Sequence, residues 1–157
     1  MNKKFLVVLS LAVVMLLALT ACGGTSPVVA SDLPAYPGAT ELGANDSRLA
    51  ATLSKNSQQI TALTQSAGVN GKTEQKGFAL PKETTWDNVK KFYDDKLKAA
   101  GWNEPGGMTG NVLAQVNAQN DMFQTATYLR GNQTLAVIRL VDPISKDASL
   151  IFSLNTR

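Results

Sequence analysis

The chain reads as an α+β domain. Its expected architecture is an antiparallel sheet of about four strands, ending in a C-terminal meander, with two helices packed on one face. Three observations predict this. Residues 84–101 carry an apolar stripe at helical spacing between a capping threonine and a terminating glycine. Residues 122–155 divide into three alternating runs joined by short turn signals, Gly131-Asn132 and Pro143 to Asp147. Residues 46–67 repeat apolar positions at three-, four- and seven-residue steps.

Taken in order, the first element is a leader. Asn2, Lys3 and Lys4 make a basic start, Phe5 to Leu19 is almost wholly apolar, and Leu19-Thr20-Ala21-Cys22 closes it. A positive n-region, an apolar core and small residues before the cut are what a secretory signal requires. A short transmembrane helix is the rival reading, since Phe5–Ala21 lies at the lower limit of what spans a bilayer. The residues flanking Cys22 favour cleavage: small Ala21 suits a peptidase cleft, and Gly23-Gly24 keep the bond extended. The motif Leu19, Thr20, Ala21, Cys22 resembles the lipobox of bacterial lipoproteins. That resemblance implies signal peptide removal and a diacylglyceryl thioether on Cys22, often with a further acyl group such as palmitate on its amine. Two or more acyl chains hold a protein stably to a membrane.

The expected divisions are therefore a cleaved signal peptide over 1–21, a lipidated cysteine and flexible tether over 22–33, and a single domain over 34–157. Within the tether, GGTSPVVAS over 23–31 is small and polar with one proline, with a reach of at most about 30 Å. Pro34 and Pro37-Gly38 around Tyr36 suggest a rigid turn that docks the tyrosine onto the domain.

Asp46 can cap a helix over 46–67, with Leu49, Leu53, Ile60, Leu63 and Ala67 on one face and Gly68 ending it. A hairpin turning at Asn70-Gly71 is the rival. Gln75–Leu80 reads as a strand stopped by Pro81. Next comes the clearest helix, capped by Thr84, with Trp86, Val89, Phe92, Tyr93, Leu97 and Ala100 as its stripe. Asp87 with Lys91 and Asp94 with Lys98 are acid-first i,i+4 pairs. Gly101 suits a left-handed C′ position that lets Trp102 fold back. A Gly- and Asn-rich loop runs on to about Asp121, with Val112–Val116 a short helix or strand. The meander follows as Met122–Arg130, Thr134–Asp142 and Ser149–Asn155.

The set Tyr36-Pro37-Gly38-Ala39, Phe92-Tyr93-x3-Leu97-x3-Gly101-Trp102 and a closing meander resembles small uncharacterised bacterial lipoproteins. The likeness spans nearly all of the mature chain, and its motifs are structural, so it carries no catalytic residue across.

Composition narrows the function classes. Loss of Lys3 and Lys4 with the leader reduces the 15 basic side chains to 13, against 12 acidic ones. So balanced a chain, without a basic stripe interleaved with aromatics, is not expected to bind nucleic acid. Histidine is absent, which excludes Ser-His-Asp and Cys-His arrangements and any imidazole metal ligand. Lipid on Cys22 removes thiol chemistry. Gly106-Gly107-Met108-Thr109-Gly110 lacks the Lys-Ser/Thr ending of a phosphate loop. No cofactor, metal or catalytic residue is assigned. The expectation is a lipid-anchored module on the extracytoplasmic face of the bacterial envelope, in the cell membrane or in the outer membrane of a two-membrane source. Its partners are membrane lipid through Cys22 and an envelope protein or small ligand, with Tyr36, Tyr93 and Tyr128 as candidate ligand-facing aromatics. The alternative is a surface-anchored hydrolase using two carboxylates about 5–9.5 Å apart, one with a raised pKa.

Overall fold

The computed structural model describes residues 26–43 and 71–157. The leader, Cys22 and the helix expected over 46–67 lie outside the described residues. Among the described residues, one antiparallel five-stranded sheet and two α-helices make an α+β fold. The strands are β1 (Thr40–Glu41), β2 (Lys72–Ala79), β3 (Phe123–Arg130), β4 (Gln133–Val141) and β5 (Ala148–Thr156), in spatial order β1-β2-β5-β4-β3. The helices are α1 (Trp86–Ala99) and α2 (Gly107–Ala118).

The meander forms where the alternation places it. A two-residue loop joins β3 to β4, with Arg130 paired to Gln133 and Gly131 at φ +57°. Positive φ at the first loop position is the II′ pattern that matches strand twist, and glycine adopts it without a Cβ penalty. The β4–β5 ladder runs from Gln133↔Thr156 to Val141↔Ala148. At its turn, Asp142 Oδ1 accepts from the amides of Ile144 and Ser145 at 2.8 Å. β5, last in sequence, becomes the central strand because β2 joins its free side over eight register pairs. The short β1, absent from the expected set, adds to β2 through Thr40↔Ala79 and Glu41↔Phe78.

One face of the sheet builds the core. Ala126 and Tyr128, Leu135 and Val137, then Leu150, Phe152 and Leu154 alternate inward and are buried. Against them α1 buries Trp86, Val89, Tyr93 and Leu97. Tyr93 meets Phe152 edge-on at 5.4 Å and 87°, the arrangement that suits two ring quadrupoles. Phe92, one step round the helix, is only partly buried, and Ala100 lies beyond the stripe as an exposed C-cap.

The ends of α1 sharpen the expectation. Thr85, not Thr84, is the N-cap: its Oγ1 accepts from Asn88 N, while Thr84 Oγ1 turns back to donate to Pro81 O at 2.7 Å. At the C-terminus Gly101 has φ +83°, its amide bonds Lys98 O, and Trp102 N bonds Leu97 O. These paired bonds are a Schellman motif, and they seat Trp102 in the core at 2% exposure. The expected acid-first pairs are replaced by Lys90–Asp94 (2.8 Å) and Lys91–Asp95 (3.1 Å). The Tyr128 hydroxyl draws Asp94 toward the sheet, and the lysine one turn earlier lies on that same flank.

The second described helix, α2, grows from the Val112–Val116 run out to Gly107 and Ala118 and buries no side chain. Asn117 holds it to β3: its amide donates to Thr125 O and accepts from Thr125 N, both at 2.8 Å. Asn103 pairs with Leu129 in the same reciprocal way, through backbone bonds of 2.9 and 2.7 Å. Asn120 Oδ1 accepts from Phe123 N at 2.9 Å.

The segment expected as a tether is ordered from Val28 onward. The Gln133 side chain accepts from Val28 N at 2.9 Å and donates to Val28 O at 2.8 Å, copying one rung of a β-ladder. A 3₁₀ turn, Ala30–Asp32, then buries Ala30 and Leu33, and Ala30 N donates to Glu74 Oε2. Further on, Pro34 O accepts from the Tyr93 hydroxyl at 3.1 Å, and Tyr36 packs on Phe92 at 5.4 Å. This strap runs from the β3–β4 hairpin end of the sheet to Gly38, where a Cβ would lie 3.1 Å from the Pro81 ring.

Candidate functional site

The sheet's inward rows end in polar residues at the end opposite the hairpin. Continuing the parity of Leu135 and Val137 brings β4 to Arg139, which stands opposite Gln124 on β3 and Leu150 on β5. Arg139 Nη1 donates to Gln124 Oε1 at 2.9 Å and to Asp121 O at 3.3 Å. Arg139 Nε is buried without a hydrogen-bond partner. Burial lowers the pKa of this guanidinium and the Asp121 charge opposes the shift, yet no carboxylate forms an ion pair with it among the described residues. An arginine stays charged there, so the position holds a half-desolvated cation with neutral acceptors only.

These two residues floor a cleft of about 710 Å³. One wall is the first turn of α1, through Trp86 and Lys90, and the other is α2, through Ala114 and Asn117. The first-turn amides of α1 bring partial positive charge to the same space. A smaller cavity of about 320 Å³ lies between α2, Thr127 and the Glu104–Gly107 turn. Its close approach is made by Gly110, where a Cβ would sit 2.8 Å from Pro105 O.

Lys90 borders both spaces and is fully engaged. Its ammonium donates to both Asp94 oxygens and to Glu104. Tyr128 donates to Asp94 Oδ1 at 2.8 Å. Burial pushes the Asp94 carboxyl up, but the bonds from Lys90 and Tyr128 outweigh it and leave its pKa lowered. For Lys90, burial lowers and the two carboxylates raise, with a net upward shift. Asp94 and Glu104 are thus a carboxylate pair bridged by one cation. Glu74 and Asp142 are lowered as well, mainly by backbone amides, those of Ala30 and of Ser145 and Ile144 respectively.

The candidate aromatics separate. Tyr93 and Tyr128 are fully buried, each hydroxyl spent on an internal acceptor, Pro34 O or Asp94. Burial raises the pKa of both phenols. Their rings are core and do not face a ligand. Tyr36 is half-buried against Phe92, the docking role that its flanking prolines suggest. Cys22 and the rest of its motif fall outside the described residues. Sequence reasoning passed over Arg139 and Gln124, although a signal was present: both occupy inward positions of their alternating runs, where a polar residue needs a reason.

Among the described residues, no group of three or more acidic or thiol ligands is placed to hold a metal ion, and no helix is long and apolar enough to cross a membrane. Comparison with protein-family models, with curated proteins and with solved structures finds no match to this chain.

Proposed function

We propose that this protein is a lipid-anchored, extracytoplasmic binding module of the bacterial envelope, held through Cys22 and presenting the Arg139–Gln124 cleft to a partner or small ligand. The observation that carries the binding role is Arg139 itself: an inward-facing cation at a cleft floor, bonded only to neutral oxygens. Burying such a charge costs stability, and an anionic or carbonyl-bearing ligand would supply the missing acceptors. A binding role fits better than hydrolysis. The described carboxyls with a resolved shift are all lowered, whereas an acid catalyst needs one raised.

Photocrosslinking in the intact envelope tests this. A crosslinker at Ala118, on the cleft wall, should trap a discrete adduct that Arg139→Gln weakens. The same group at Lys91, on the exposed face of α1, should not trap it. Identical adducts from both positions would refute the cleft. The anchor is tested by Cys22→Ala, which should abolish acyl labelling and leave the precursor uncleaved.

A further inference from the structure

We infer that the hairpin end of the domain is a docking surface for anionic phospholipid headgroups, so that the anchored protein stands with its cleft facing away from the bilayer. This rests on the lipid anchor at Cys22 and adds an orientation to it.

Three observations point the same way. The first is reach. The strap is already docked at Val28, bonded to Gln133 in the first residue of β4. Six residue steps separate Val28 from Cys22, which places the hairpin end within about 20 Å of the lipidated residue. A tether free to residue 33 would let the domain tumble; this one does not reach past its own attachment end.

The second is direction. β4 runs from Gln133, at the strap, to Arg139, at the cleft floor. Six strand residues separate the two by about 20 Å. Helix α1 runs the opposite way, from Trp86 in the cleft wall to Trp102 beneath Arg130, whose guanidinium lies 6.0 Å from the indole centroid. One end of the molecule therefore holds the anchor and the other holds the cleft.

The third is charge. Lys96 and Lys98 in the last turn of α1, with Arg130 and Arg157, lie at the hairpin end, and none forms an ion pair among the described residues. The acids there are occupied: Glu74 pairs with Lys72 and takes the Ala30 amide, and Asp32 faces Val29 N. At the cleft end the balance reverses, with Glu83, Asp87, Asp121, Asp142 and Asp147 outnumbering Lys82, Lys90, Arg139 and Lys146. A chain that is nearly neutral as a whole is thus polarised along the strand axis. An anionic surface attracts its near end and repels its far end. Exposed Val29 and Leu129 add apolar contact at the same end.

The test uses the full lipidated protein reconstituted into phosphatidylcholine vesicles with or without phosphatidylglycerol. Cys22 is the sole cysteine of the chain, so with its sulfur acylated an introduced cysteine is the only free thiol. Dye is placed at Ala99→Cys, near the hairpin end, or at the exposed tip residue through Ile144→Cys, and energy transfer to a headgroup-labelled lipid is measured. Transfer should be about twofold stronger from position 99 in phosphatidylglycerol vesicles, given the strand-length separation. The gap should narrow without phosphatidylglycerol, and likewise in Lys96→Gln/Lys98→Gln, which still floats with the vesicles. Flotation with equal transfer from both positions overturns the orientation alone. A gap independent of phosphatidylglycerol overturns the headgroup contact. Failure to float overturns the lipid anchor and, with it, the orientation.

Discussion

The clamp between Gln133 and Val28 yields the most direct quantitative prediction. Gln133 is 2% exposed and its amide makes three bonds: two to the Val28 backbone and one to Thr156 Oγ1 at 2.8 Å. Gln133→Leu keeps the volume and removes all three. Each neutral bond contributes about 0.5–1.5 kcal/mol net. Val28 is half-buried, so water can reach its freed groups, and the leucine recovers some apolar burial. The expected loss is therefore about 1–2 kcal/mol, read from urea unfolding monitored by tryptophan fluorescence. Hydrogen exchange gives the local signature: the Val28 amide should lose protection while the Tyr93 hydroxyl bond to Pro34 keeps the later strap in place. Gln133→Glu should be worse at neutral pH, because a buried carboxylate would face the Val28 carbonyl. Its folded-state pKa would be raised, so the penalty should shrink as pH falls through that value. A leucine variant as stable as the parent, with Val28 N still protected, would refute the clamp.

The remaining predictions concern other parts of the molecule. Tyr128→Phe removes a bond to charged Asp94 and should cost about 1.5–3 kcal/mol at neutral pH. Asp94 has a lowered folded pKa, so its contribution is fully present above its unfolded value of about 3.9 and is lost as pH falls through the folded value. Acid titration of stability should accordingly be shallower in Tyr128→Phe than in the parent, and an unchanged profile would contradict the network. Gly101→Val should lower the unfolding free energy through its φ of +83° alone, by about 1–2 kcal/mol, and the melting temperature with it, since no neighbour lies within 4 Å of the new Cβ. Gly101→Asn should recover part of that loss. Arg139→Met with Gln124→Leu should raise stability by about 1 kcal/mol while abolishing the Ala118 crosslink, because a cation kept for binding is a cost to folding. A destabilised double variant would show that Arg139 is structural.

Periodicity made the meander and α1 legible, because both depend on contacts whose spacing is written locally. Leu150, Phe152 and Leu154 alternate in the sequence as they do in the core. Gly101-Trp102 announced the helix end because only one backbone conformation serves both residues there. The extent of α2 was hidden for a physical reason: it buries nothing and contains three polar or glycine residues in its first four, so no stripe marks it. Its anchor is a single side chain, Asn117, meeting a strand eight residues later. The docked strap was equally silent. Its hold on Gln133 spans 105 residues, and no local pattern encodes such a bond. The cleft was half legible, since Arg139 and Gln124 each break an inward row, but only the register of β3 with β4 brings them together.

One arrangement on β3 bears on how copies of this domain would meet if anchored as proposed. Anchoring confines copies of a protein to two dimensions, where their encounter rate rises and any unpaired strand becomes a template for its neighbour. β3 is the outermost strand, and its outward backbone groups are claimed one after another by Asn120 at Phe123, Asn117 at Thr125 and Asn103 at Leu129. Among the described residues, what remains open is Thr127 and the Phe123 carbonyl, too little to nucleate a ladder. At the opposite border β1 is only two residues long. Two asparagine side chains that look like loop filler in the sequence, Asn117 and Asn120, thus act with the Asn103 backbone as guards against self-association, and replacing the two side chains would be felt first as clustering rather than as unfolding.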